Sequence, residues 1–124
     1  MSILSRKWAQ NSIYQHKLRG FIFEGDVSIS KVHQLMKDNL GKKCIYCGKT
    51  LSLDEGSYKA SLDIINPRHL VNMDNLQIIC KKCNEMKGRK NHSEFLRFRQ
   101  TPQYLKQVKC FKGNYPTKIT GRLY

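Results

Sequence analysis

Long apolar runs are missing from this chain. The longest cover only a few residues, so no segment reads as a membrane span, and the N-terminal MSILSRKWAQ lacks the apolar core of a secretory signal. Both absences point to a reducing interior, the cytoplasm or nucleoid, including that of a virus-infected host. Acidic residues are scarce too: nine Asp and Glu face 23 Lys and Arg in 124 residues, a formal net charge of +14. The imbalance is local. Basic and acidic residues number 8 and 3 over residues 1–43, 3 and 4 over 44–79, and 12 and 2 over 80–124. A field of that sign favours a polyanion, and Phe95, Phe98, Tyr104, Phe111, Tyr115 and Tyr124 lie among the cations, where they can cover sugars or bases. Arg68, Lys81, Lys82, Lys87, Arg89, Lys90, Arg97 and Arg99 are the candidate phosphate contacts. No basic segment carries a long apolar face, which makes a membrane surface the poorer partner.

With 40% hydrophobic residues, a chain of this length buries one modest core that needs reinforcement. The cysteines supply it. Cys44/Cys47 and Cys80/Cys83 form two Cys-x-x-Cys pairs 32 residues apart, the spacing of one tetrahedral four-thiolate zinc site that fastens two distant segments. The alternative, four unrelated buried or disulfide-bonded cysteines, does not account for the paired spacing. Lys49, Lys81 and Lys82 flank the pairs and would help hold the thiolates ionised. Cys110 is left over and reads as an ordinary buried or half-buried thiol.

Between the pairs, Asp63 interrupts an apolar run, Leu62-Asp63-Ile64-Ile65, and a connection through Pro67 leads to Asn75 and a second run, Leu76-Gln77-Ile78-Ile79. Cys80 and a polar segment ending at Lys87-Gly88 follow, so the order is strand, loop, strand, short helix. This stretch resembles the HNH (His-Me finger) endonucleases, small phage and mobile-element proteins among them. The likeness lies in Ser61-Leu62-Asp63, in Asn75-Leu76, and in the Cys80-Lys81-Lys82-Cys83-Asn84 to Lys87-Gly88 ending. The resemblance implies an α+β fold, a zinc-stapled ββα-metal core with flanking helices. It also implies a magnesium or manganese ion on Asp63 and Asn84, a place for Asn75 in the catalytic motif, and DNA, rather than RNA, as the substrate. By its turn chemistry Asn75 itself reads as tying the loop by hydrogen bonds. Where that family places its general-base histidine, directly after the aspartate, this chain has Ile64. His69 is the nearest substitute and His92 the next.

Three regions are expected within a single compact domain: a helical lead-in over 1–43, the zinc-bound ββα module over 44–90, and basic helices with an arm over 91–124. Leu4, Trp8, Ile13, Tyr14 and Leu18 recur at helical spacing before Gly20. Phe21 to Val27 reads as a short extended segment, and Ser30 as the N-cap of a helix that ends at Gly41. His16 and His33 fall in these helices and read as ordinary structural or surface histidines, since neither neighbours a ligand-type cluster. Gly48 relieves the knuckle backbone, and Asp54-Glu55-Gly56 marks a turn. Asn91 to Glu94 forms a capping box, Thr101-Pro102 opens a last helix, and residues 111–124 read as a basic, turn-rich arm. Two functions fit: a metal-dependent endonuclease cutting DNA, or a non-cutting nucleic-acid-binding module or nucleoprotein subunit with the same scaffold. Asp63, Asn75 and Asn84 favour the first and Ile64 the second. No segment encodes a separate specificity domain, which argues against long-site recognition by a monomer.

Overall fold

In the computed structural model, residues 3–109 apart from Glu55 and Ser57 are described. Cys110 and the arm over 111–124, like Glu55 of the expected turn, lie outside them. The chain opens with helix α1 (Ile3–Leu18) and helix α2 (Ile29–Asn39), packed against each other. Gly20, at φ 95°, ends α1 with paired bonds from Gly20 N to Lys17 O and Phe21 N to His16 O. The face α1 buries differs from the one the apolar spacing suggests. Ala9, Ile13 and His16 point inward, while Tyr14 and Leu18 are 58% and 63% exposed. A small residue and an imidazole do not register in a hydrophobic pattern, yet they fit where the helix lies close to the strands. Trp8 marks that approach, donating from Nε1 to Ala60 O at 3.2 Å.

The cap of helix α2 lies two residues before the expected one. Ser28, extended at φ −135°, accepts from Lys31 N, and buried Val32 and Met36 face the core. The segment between the helices pairs with the later connection: Phe23 bridges Val71, Glu24 N donates to Val71 O, and Val71 N donates to Ile22 O.

Strands β1 (Ala60–Ile64) and β2 (Leu76–Cys80) form an antiparallel pair in which Ala60 faces Cys80, Asp63 faces Gln77 and Ile64 faces Leu76. Helix α3 (Lys81–Lys87) follows β2 without a loop, because Cys80 is both the last strand residue and the cap that accepts from Cys83 N. Helix α4 (His92–Phe98) begins with the expected capping box of Asn91 and Glu94, and helix α5 (Pro102–Lys109) follows Thr101. This is an α+β fold with a ββα core. Among the described residues no helix is long and apolar enough to cross a membrane.

Candidate functional site

The two cysteine pairs converge. All four Sγ atoms are buried and lie within 4.8 Å of one another, and Cys47 Sγ stands 3.6 Å from Cys80 Sγ. A disulfide needs about 2.05 Å, whereas a zinc ion with Zn–S bonds of about 2.3 Å implies sulfur separations of about 3.8 Å. The donor set therefore fits zinc. Backbone amides prepare it: Cys80 N donates to Cys44 Sγ at 3.5 Å, and Gly48, at φ 77°, donates to Cys44 O as the first pair turns. Four thiolates this close cannot all ionise without a cation among them, because each charge opposes the next.

Helix α3 lies along β1 through two side chains one turn apart. Asn84 Nδ2 donates to Ser61 Oγ at 2.6 Å and Leu62 O at 3.1 Å. A carbonyl can only accept, so the amide nitrogen is the end turned to the strand. Oδ1 is left without a hydrogen-bond partner among the described residues. Lys87 Nζ sits 3.1 Å from Asp63 Oδ2 and 3.3 Å from Oδ1, and also donates to Ile64 O and Ile65 O. Cross-strand register supplies Asp63's other partner, Gln77 Nε2 at 2.8 Å. Gln77's second proton goes to Tyr46 Oη, which shares a 2.8 Å bond with His92 Nδ1. Asp63 and Lys87 are 2% and 0% exposed. Burial raises the Asp63 carboxyl against the pull of Lys87, and burial lowers Lys87 against the pull of Asp63.

Asp63 and Asn84 border a cleft of about 580 Å³. Ser61, Asp63 and Asn84 line it from the ββα core, His16 from α1 and Arg19 from the turn that follows, and Lys59, Lys81 and Arg89 add positive charge. Residues 44–90 match the family model described as HNH endonuclease. The chain carries an HNH domain. No curated protein sequence matches the chain. The match implies a nuclease-type function and nucleic-acid binding. It spans the zinc knuckle, both strands and α3, so the HNH domain holds all four sulfurs and the Asp63, Asn84 and Lys87 cluster.

Within the HNH domain, Asn75 is a loop fastener. Its side chain accepts from Asn66 N and donates to Asn66 O and Leu70 O, pinning the turn after β1. Ile64 is buried, offering no proton acceptor. His69 is exposed on the connection and does not line the cleft, and His92 is spent on Tyr46. The basic residues divide. Lys81, Arg89 and Arg97 are exposed, Lys82 and Lys90 half-buried, and Arg89 stacks 5.2 Å from the Phe21 ring at the cleft. Arg68 is exposed but doubly bonded to Glu94, whose carboxyl this contact brings down to about 2.

Two residues expected on the phosphate-facing surface are not there. Lys87 is committed to Asp63 and the carbonyls of Ile64 and Ile65, and Arg99, 2% exposed, donates to Tyr46 O and lies over the Tyr104 ring. In each case a buried acceptor one layer in claims the charge. His16, read from the sequence as an ordinary structural or surface histidine, lines the cleft. Its Nδ1 lies 2.7 Å from Ser12 O, its ring packs 5.9 Å from Phe21, and burial lowers its pKa, which favours the neutral ring. Nothing near it in sequence marks it; docking of α1 brings it to the cleft.

Proposed function

We propose that the protein is a metal-dependent endonuclease that hydrolyses phosphodiester bonds in DNA, with structural zinc on Cys44, Cys47, Cys80 and Cys83. The carrying observation is that Asp63 and Asn84, whose Oδ1 is unengaged among the described residues, line one cleft whose other charges are Arg19, Lys59, Lys81 and Arg89, with Glu85 opposing them. That oxygen pair suits Mg²⁺ or Mn²⁺, which takes one or two protein ligands and completes its shell with water and phosphate oxygens. Bound there, the cation would polarise the phosphoryl group as a Lewis acid. The chain's own part is positional. The cations hold the phosphates, Lys87 and Gln77 fix the Asp63 rotamer, and Ser61 with Leu62 O aims the Asn84 amide. The preference for DNA over RNA comes from the family likeness.

Supercoiled plasmid and a structured RNA, each incubated with zinc-loaded protein and Mg²⁺, Mn²⁺ or no added divalent ion, test this reading. Plasmid cutting that requires the added ion and falls about 10²-fold or more in Asn84→Ala is expected, as loss of several kcal/mol of charge stabilisation implies. Equal activity without added ion, or in Asn84→Ala, would count against the site. A second reading, a binding module that does not cut, is favoured by buried Ile64, since β1 itself brings no base to the cleft. Salt-sensitive DNA binding with no cutting under any condition would select it.

A further inference from the structure

We propose that His16 is the general base of this cleft, taking the proton from the water that attacks the phosphodiester. The assignment rests on the nuclease reading above. Helix α1 supplies from outside the HNH domain what β1 lacks: His16 lines the cleft together with Ser61, Asp63 and Asn84. Neither His69 nor His92 lines that cleft.

The ring is set for this task by its helix. Ser12 O, four residues earlier, can only accept, so the proton of the neutral imidazole sits on Nδ1 and the lone pair on Nε2. Nε2 has no hydrogen-bond partner among the described residues. The 2.7 Å bond to Ser12, the Phe21 ring at 5.9 Å and the hold of Trp8 on Ala60 O fix ring and helix relative to β1. An orienting acceptor on one nitrogen and a free lone pair on the other is the arrangement a base needs.

The step balances without a further reactant. The water oxygen bonds to phosphorus as its proton passes to Nε2, and the P–O bond to one sugar oxygen breaks. That oxygen leaves with the bonding pair and takes a proton from solvent. The imidazolium then returns its proton to solvent, and one phosphate-bearing end and one hydroxyl end remain.

Plasmid cleavage in Mn²⁺ by the full chain, by His16→Asn and by His16→Ala tests the assignment, with thermal melts to confirm folding. Asparagine keeps a donor for Ser12 O but no base. Both variants are expected to cut about 10²- to 10⁴-fold more slowly, and added imidazole is expected to restore part of the rate in His16→Ala alone. A merely structural histidine would not respond to imidazole. Cutting by folded His16→Asn within about threefold of wild type overturns the assignment and leaves the nuclease reading standing. A slow His16→Ala that imidazole does not rescue also overturns it. No cutting by the wild type overturns the nuclease reading, and the assignment with it.

Discussion

Stripping the metal from the four sulfurs with a strong chelator, or replacing Cys83 with serine, is expected to unfold the protein outright. The sulfurs join the knuckle at Cys44 and Cys47 to the junction of β2 and α3, where Cys80 ends the strand and caps the helix. Structural zinc contributes about 10–16 kcal/mol of apparent binding free energy in small peptides, against about 5–15 kcal/mol for the whole stability of a typical domain. Loss of the ion also leaves four crowded buried thiols around an empty centre. Circular dichroism and a thermal melt provide the check. The cooperative transition should vanish on chelation, return with one equivalent of zinc, and stay absent in Cys83→Ser whatever zinc is added. A chelated protein that melts like the untreated one would mean that the core holds without the clamp.

The buried Asp63–Lys87 pair gives the next largest effect. Burial favours the neutral form of each group, and the charge of the other is the main force opposing it. Lys87→Met strands a carboxylate with Gln77 as its remaining donor, and should lower stability by about 3–5 kcal/mol. Asp63→Leu together with Lys87→Met removes both charges and should recover part of that loss, because a matched apolar pair avoids desolvating two ions. Recovery is incomplete, since Ile64 O and Ile65 O lose the donor that Lys87 gave them, at about 1–3 kcal/mol for each carbonyl left buried and unpaired. Urea titrations of the wild type, the two single variants and the double variant measure this coupling. Losses that simply add would show that the ions do not depend on each other.

What the sequence disclosed follows the chemistry of each residue type. Two Cys-x-x-Cys pairs specify a tetrahedral sulfur site almost by themselves, and the positions of Asp63, Asn75 and Asn84 around two apolar runs disclosed the ββα order. Asn75 behaves as its turn chemistry suggests, binding Asn66 and Leu70. Lys87 and Arg99 misled for one reason. A basic residue in a polar helix reads as surface unless its acceptor is known, and those acceptors, Asp63 and Tyr46 O, are 24 and 53 residues away. Ser28 and Ser30 carry the same capping chemistry, so choosing between them depends on where α2 must begin to bury Val32 and Met36. His16 is the plainest case of tertiary placement. Its local sequence is that of an ordinary amphipathic helix, and its position in the cleft exists only once α1 has docked over β1.

Anomalous diffraction above the manganese edge, from crystals of zinc-loaded protein grown with Mn²⁺, bears most directly on the cleft as a nuclease site. A manganese peak bonded to the Asp63 carboxylate and Asn84 Oδ1, separate from the zinc among the sulfurs, is expected. Zinc alone, with the Lys87 ammonium still the sole cation on Asp63, would contradict it.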